Sequence, residues 1–418
     1  MPRSVLFAIL LLVMAANADE PAVEFGGHTK FSFNGQTWPD DSLMRAAFGS
    51  SSIDALASLR LNVEWRNDGW AFDAAYQLVG VNGDRVNLGN SLPPGAAAFL
   101  GSLPNDDRRL FDLTDVISQS GDSALLHRLD RLWLGYSSEK TVVRFGRQAL
   151  SWGNGLLYAP MDLVNPFDPS AIDTEYKSGD DMLYAQYLAD SGDDVQGAAV
   201  FRRNPLTGDV ESDQATYAAK YHGFAGDYEY DLLLAENYGD PVLGLGISHG
   251  IGGAQWTADI VVADTSTNTY TQLVTNLTYS WIFADKNMSG MIEYYFNGFG
   301  QHDGQYDPAS LAGNPDLLLR LTRGQTFTLG RHYIAGSVMI EMTPLWSVSP
   351  VLLANVRDPS GLLQLTTDYS LGDNLRLLGN INIPLGPSGS EFGGIESGIP
   401  GLYLSSGAGV FAQFAWYF

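Results

Sequence analysis

The last nine residues of this 418-residue chain, Val410–Phe418, read Val-Phe-Ala-Gln-Phe-Ala-Trp-Tyr-Phe and stop on an aromatic side chain. Counting back in twos from Phe418 gives Trp416, Phe414, Ala412 and Val410, an unbroken apolar strand face. A strand like that at the edge of a sheet in water is an aggregation site. In a bilayer it is tolerated if the strand closes a barrel. Its outer face then meets acyl chains, and its edge pairs with the first strand, leaving no backbone group unsatisfied in lipid. The end of the chain thus asks for a closed antiparallel sheet.

The beginning speaks to the compartment. Met1-Pro2-Arg3 is a short positive start, Val5 to Met14 is apolar without a break, and Ala16-Asn17-Ala18 sets small residues before Asp19. That is the pattern of a secretory signal peptide over 1–18, cleaved after Ala18. The apolar run is too short to span a bilayer as a helix. The expected layout is a short periplasmic segment at 19–27 followed by one transmembrane barrel over 28–418.

Composition fits that class. The chain carries 23 basic and 47 acidic side chains, net −24, and losing Arg3 with the leader takes the net charge to −25. Such a charge disfavours nucleic acid as a partner. With no cysteine there are no disulfides and no thiolate metal sites. The mean hydropathy of −0.05 is too polar for a helical membrane protein, but suits a barrel whose alternate residues face lipid and water.

Period-two alternation recurs along the whole chain. Over 55–66, Ala57, Leu59, Leu61, Val63 and Trp65 share one face, and Ser58, Arg60, Asn62, Glu64 and Arg66 the other. After Asn67-Asp68-Gly69 the pattern resumes with Trp70, Phe72, Ala74, Tyr76 and Leu78. Short turns near 67–69, 137–141, 190–194, 223–226, 250–253, 284–288, 343–345 and 372–374 alternate with connections of uneven and often greater length. The resulting fold class is all-β: an up-and-down antiparallel transmembrane barrel of about 18 strands with short periplasmic turns and long external loops. Short helices are expected at 104–119 and 311–321, inside two of those loops.

The third long connection, 151–180, is the densest segment. It contains Trp152-Gly, three prolines (Pro160, Pro166, Pro169), and the run Asn165-Pro-Phe-Asp-Pro, followed by Asp173-Thr-Glu-Tyr-Lys. Its prolines stiffen it, and Trp152, Tyr158 and Phe167 are expected to anchor it inside the barrel. The stretch Phe145-Gly-Arg-Gln through Asn165-Pro-Phe-Asp-Pro resembles exported barrels of the porin superfamily, with the larger alginate-export-like barrels as the nearest group. The aromatic C-terminus likewise resembles the recognition strand of Gram-negative outer-membrane barrels, with Phe414, Trp416 and Phe418 as the assembly signal. The resemblance implies an outer-membrane location, lipopolysaccharide and the bilayer around the barrel, the barrel-assembly machinery as a partner, and a third loop folded into the lumen.

Arginine usage points to a lined pore, since planar and permanent donors suit a lumen better than a surface. Parity puts Arg60 and Arg66 inside, with Arg131, Arg144 and Arg376 expected there too, and leaves Arg128, Arg147, Arg202 and Arg203 open. A bulge at Gly146 would turn both Arg144 and Arg147 inward. The expected constriction sets Arg60, Arg66, Arg131, Arg144 and Arg147 against Asp162, Asp168, Asp173 and Glu175 of the loop, giving a transverse field. No Ser-His or HExxH arrangement surrounds any of the six histidines, and neither a cofactor nor a metal is expected. The expected function is passive diffusion of small hydrophilic solutes. The alternatives are export of a polysaccharide, against which the inward acids Glu64, Asp73, Asp231, Asp259 and Glu293 count, and a structural barrel sheathing a periplasmic partner.

Overall fold

The computed structural model describes residues 22–91 and 103–418, so the expected leader at 1–18 lies outside the described residues. The strands are β1 (Ala22–Thr37), β2 (Ser51–Asn67), β3 (Trp70–Gly83), β4 (Thr114–Ser120), β5 (Ser123–Ser137), β6 (Thr141–Gln148), β7 (Asp180–Leu188), β8 (Asp194–Val200), β9 (Thr216–Ala225) and β10 (Tyr228–Asn237). They continue as β11 (Asp240–Ile251), β12 (Ala254–Asp264), β13 (Thr269–Phe283), β14 (Lys286–Asn297), β15 (His332–Thr343), β16 (Trp346–Asn355), β17 (Ser360–Gly372), β18 (Leu375–Leu385) and β19 (Gly409–Tyr417). All but β4 form a closed 18-strand antiparallel barrel. Among the described residues no helix is long and apolar enough to cross a membrane.

The seam is where the chain ends meet. β19 pairs with β18 on one side and with β1 on the other, from His28 opposite Tyr417 to Gln36 opposite Gly409. Phe418 and Gly27 exchange two backbone hydrogen bonds, at 2.9 and 3.0 Å. A side chain at position 27 would put its Cβ 2.1 Å from the Arg60 carbonyl oxygen, so only glycine lets β1 lie this close to β2. Phe31, Leu61, Leu134, Leu183, Leu234, Ile292 and Phe414 are exposed on the outer face. Near the short-turn end, Trp70, Tyr136, Tyr279, Trp346 and Trp416 form an aromatic belt, with the Trp70 and Tyr136 rings 5.3 Å apart.

The alternation of turns and loops follows the sequence pattern, with local differences. β1 begins at Ala22 and not near His28, because residues 22–27 pair with Leu61–Arg66 of β2 instead of trailing free. The connection between the short turns expected at 223–226 and 250–253 is itself no longer than they are: a two-residue turn, Tyr238 and Gly239, both at positive φ. Segment 311–321 is helical as expected, in Pro308–Ala312 and Pro315–Thr322, whereas 104–119 forms no helix and ends in β4. The run Thr114-Asp-Val-Ile-Ser-Gln-Ser carries three β-branched residues, and it pairs with the upper half of β5 with a register shift between Val116 and Ser118.

Deleting Phe418, or replacing Trp416 and Phe418 together by Ser, is expected to abolish the heat-modifiable barrel in outer-membrane fractions. Wild-type amounts of folded barrel from either variant would contradict the closure argument.

Candidate functional site

An 18-strand barrel encloses more space than its wall side chains fill. Here the connection 149–179 enters that space, and its two halves are held by different forces. In the first half, Trp152 and Met161 join the inward-facing Ala198, Leu233, Val242, Val261 and Ala263 in an apolar cluster completed by Phe299 and Leu317 of the connection between β14 and β15. Tyr158 stacks on Tyr295, with ring centroids 4.6 Å apart and planes 9° apart, and abuts Tyr333. The backbone amides of Leu156, Leu157 and Tyr158 donate to the Glu293 carboxylate at 2.7 to 3.0 Å. The backbone and side-chain amides of Asn154 donate to Asp259 at 2.6 and 2.7 Å. The inward acids of β12 and β14 therefore bind the loop.

The second half, 165–176, contains no buried residue. It leaves the packed half at Asn165, which takes φ +50°, and reaches the opposite wall. There Lys30 Nζ lies 2.7 Å from both Asp173 Oδ2 and Glu175 Oε2. Gln413 donates to Asp173 at 2.9 Å and the Tyr417 hydroxyl to Glu175 at 2.8 Å. Gln364 donates to the Ser170 carbonyl at 2.9 Å, and the Arg60 guanidinium sits 4.3 Å from the centre of the Tyr176 ring. Burial pushes the carboxyls of Asp173 and Glu175 upward. The bonds from Lys30 with those from Gln413 and Tyr417 outweigh it, and hold both below the usual carboxylate range.

Behind this contact lies a cluster of guanidinium groups around one carboxylate. The register of β3 on β5 shifts between Ala75 and Tyr76, leaving Asp130 as an extra residue on β5. The bulge brings the Asp130 carboxylate to Arg60 at 2.7 Å, to Arg131 at 3.0 Å and to Arg128. Three guanidinium groups share the one Asp130 carboxylate, with Asp73 the next acid near Arg131 and Arg60. The cluster borders a cavity of about 740 Å³ between β1, β2 and the connection from β3 to β4, lined by His28, Lys30, Arg60, Arg128, Asp130 and Tyr176 among others.

Three solved structures share the barrel fold. A BenF-like porin from Pseudomonas fluorescens Pf-5 superposes with a TM-score of 0.52 at 8% identity, over 95% of this chain and 98% of that one. Acinetobacter baumannii OccAB2 gives 0.52 at 8% identity over 95% and 98% of the two chains, and OccAB4 from the same organism 0.50 at 11% over 96% and 100%. The fold is that of the porins. Identity this low speaks for the fold alone. No protein-family model and no curated protein matches the sequence.

Within this porin fold the residues singled out by sequence separate into groups. Arg60, Arg131, Asp173 and Glu175 meet at the loop-to-wall contact, where Arg131 also donates to the Lys177 carbonyl at 2.5 Å. Arg144 faces inward but lies over the rings of Trp133 and Tyr184, at 4.9 and 6.0 Å. Arg376 pairs with Asp368. Arg66 pairs with Glu64 at 2.9 Å near the short-turn end, six residues from Arg60 and so roughly 20 Å along the strand. It has no part in the constriction. Asp168 caps a local turn by accepting from Ser170 at 2.7 and 2.8 Å, away from the arginines. Trp152 and Tyr158 are buried and anchor the loop, whereas Phe167 is 37% exposed and only lines a small pocket beside Tyr158 and Phe327. Asp162 is buried against Lys177, at the base of the loop.

Arg147 is a correction of a different kind. The β5–β6 register runs unbroken through Gly146, so Arg147 shares a face with Phe145 and not with Arg144. It is buried in the wall under segment 106–113, 2.9 Å from Asp181 and 2.9 Å from Asp106, and it braces the wall. Sequence reasoning missed Lys30, Asp130, Tyr176, Gln413 and Tyr417. Lys30 carried a signal, since the outward Phe31 and Phe33 put it inside by parity. Asp130 carried none, because the bulge exists only in the pairing.

Removing one partner from the Arg147 cluster strands a buried charge, at a cost of about 3–5 kcal/mol. Arg147→Ala and Asp181→Ala should therefore lower the temperature at which the barrel loses its folded electrophoretic mobility, whereas Arg66→Gln should leave it unchanged. Equal behaviour of the three variants would contradict this assignment.

Proposed function

We propose that the protein is a porin-like channel through which small hydrophilic solutes cross an outer membrane passively, with the short turns in the periplasm and the long loops outside. The observation that carries the reading is the third loop bonded to inward-facing side chains around the lumen, from Asp259 and Glu293 to Gln364, Gln413 and Lys30. A chain so placed limits what passes, and the charged groups where it meets the wall set which ions pass more readily. In this reading Arg60, Arg131 and Lys30 on the wall, with Asp173 and Glu175 on the loop, are the selectivity groups, and Arg144 adds an inward cation that has no carboxylate partner among the described residues.

The alternatives fare less well. A polysaccharide exporter needs a wide continuous path, and the β8–β16 side of the lumen is filled by two apolar clusters. A barrel sheathing a protein partner needs an empty lumen, and the inward loop counts against it.

Planar-bilayer recording tests the channel. Replacing 165–176 by a short Gly-Ser linker should raise single-channel conductance several-fold, and an unchanged value from a folded barrel would place the restriction elsewhere. In a salt gradient, Arg60→Glu with Arg144→Glu should move the reversal potential toward cation selectivity. For sidedness, an epitope inserted between Gly304 and Gln305 should be labelled on intact cells. One inserted between Gly252 and Gly253 should be labelled only after the outer membrane is opened, and the reverse pattern would invert the orientation.

A further inference from the structure

We propose that residues 165–176 are a hinged flap that gates the barrel, latched shut by Lys30 against Asp173 and Glu175. The inference rests on the channel reading above and adds to it that the restriction moves.

Three observations carry it. First, the flap is closed on itself at its base. Lys177 Nζ donates to the Asp162 carboxylate, to Ser151 Oγ at 2.9 Å and to the Leu150 carbonyl at 2.5 Å, tying together residues fifteen apart in sequence. The segment between them is a compact loop whose ends stay fixed whatever its tip does. Second, no fully buried apolar side chain holds the flap down. The side chains that fix the loop to the barrel interior, Trp152, Tyr158, Met161 and Val164, all precede Asn165, and none of 165–176 is buried. Third, apart from the Tyr176 ring beside His28, the tip meets the wall through ion pairs, hydrogen bonds and a cation over a ring, all of which water and salt replace. The latch carboxylates are partly exposed, 27% for Asp173 and 23% for Glu175, so solvent reaches the contact already.

The left-handed conformation of Asn165 marks one hinge, and the pinned Lys177 the other. When the latch opens, Lys30 is left on the wall beside Arg60. The flap takes its two carboxylates with it, so the open lumen is more positive at this level than the closed one.

The chain has no cysteine, which allows a direct test. A Lys30→Cys, Asp173→Cys protein is recorded in planar bilayers before and after linking by a short bifunctional thiol reagent, so each channel is its own folding control. The expected result is switching between a low and a high level before linking and a permanent low level afterwards. Lys30→Gln should spend several-fold more time at the high level than the wild type. The flap-shortened protein should stay at the high level. A linked channel that reaches the high level as often as the unlinked one overturns the latch while leaving the channel reading intact, provided that the flap-shortened protein conducts. Silence of the flap-shortened protein in folded form overturns both.

Discussion

Inside a bilayer no water is available to satisfy a backbone N–H or C=O, and this constraint governs the rest of the structure. It demands closure, so the first and last strands must meet, and they do so along nine residue pairs. Closure of eighteen strands in turn creates a lumen too wide for wall side chains to fill. The protein fills it with its own chain, and in two ways. Toward β8–β16 the inward wall residues include Ala198, Leu233, Val242, Val261, Val274, Tyr295 and Leu353, among which Asp259 and Glu293 hold the loop backbone, and the loop adds Trp152, Tyr158 and Met161 to make an interior like that of a soluble protein. Toward β1, β2, β5 and β19 the wall is Lys, Arg, Asp and Gln, and the loop answers with carboxylates.

The charged side shows how the cost of burial is met. Isolated charges out of water are expensive, and the buried cations described above each meet a carboxylate or the face of an aromatic ring. The clasp at the base of the flap shows the limit of pairing. Burial pushes the Asp162 carboxyl up to about 6 and pushes the Lys177 ammonium down, despite their contact. Desolvation thus exceeds attraction on both partners. The apolar packing of the loop's first half holds this pair together, and the pair in turn fixes where the flap begins.

How much of this was legible depends on which forces are local. The barrel could be read because lipid imposes an alternation that survives in every strand, as in 55–66 and in the last nine residues. The inward course of the third loop was suggested by its prolines and aromatics, which suit an ordered segment better than a solvated one. The individual contacts were less accessible. Phe167 looked like an anchor by residue type, yet it lies past the hinge at Asn165 and stays more than a third exposed, at the edge of a small pocket it shares with Tyr158 and Phe327. Arg147 looked lumenal through a supposed bulge at Gly146, while the actual bulge lies at Asp130, a position set by the pairing of β3 with β5. Register of that kind is a property of two strands together, and no single strand encodes it.

The inward loop also explains the odd strand. β6 stops at Gln148 after eight residues because the chain must turn into the lumen there, and it returns only at Asp180. That departure leaves the upper half of β5 without a neighbour at a level where an unpaired edge is costly. β4 takes the vacant place, pairing Thr114–Ser120 with Ser123–Arg128, while β6 pairs with the lower half of β5. The gap between β4 and β6 is covered by 106–113, and Arg147 ties it shut by reaching Asp106 on the cover, Asp181 on β7 and the Phe111 carbonyl at once. Sending a segment of wall into the pore and patching the wall with the preceding loop are therefore one construction. A change that loosened the patch would be felt by the loop, because both hang on the same short end of β6.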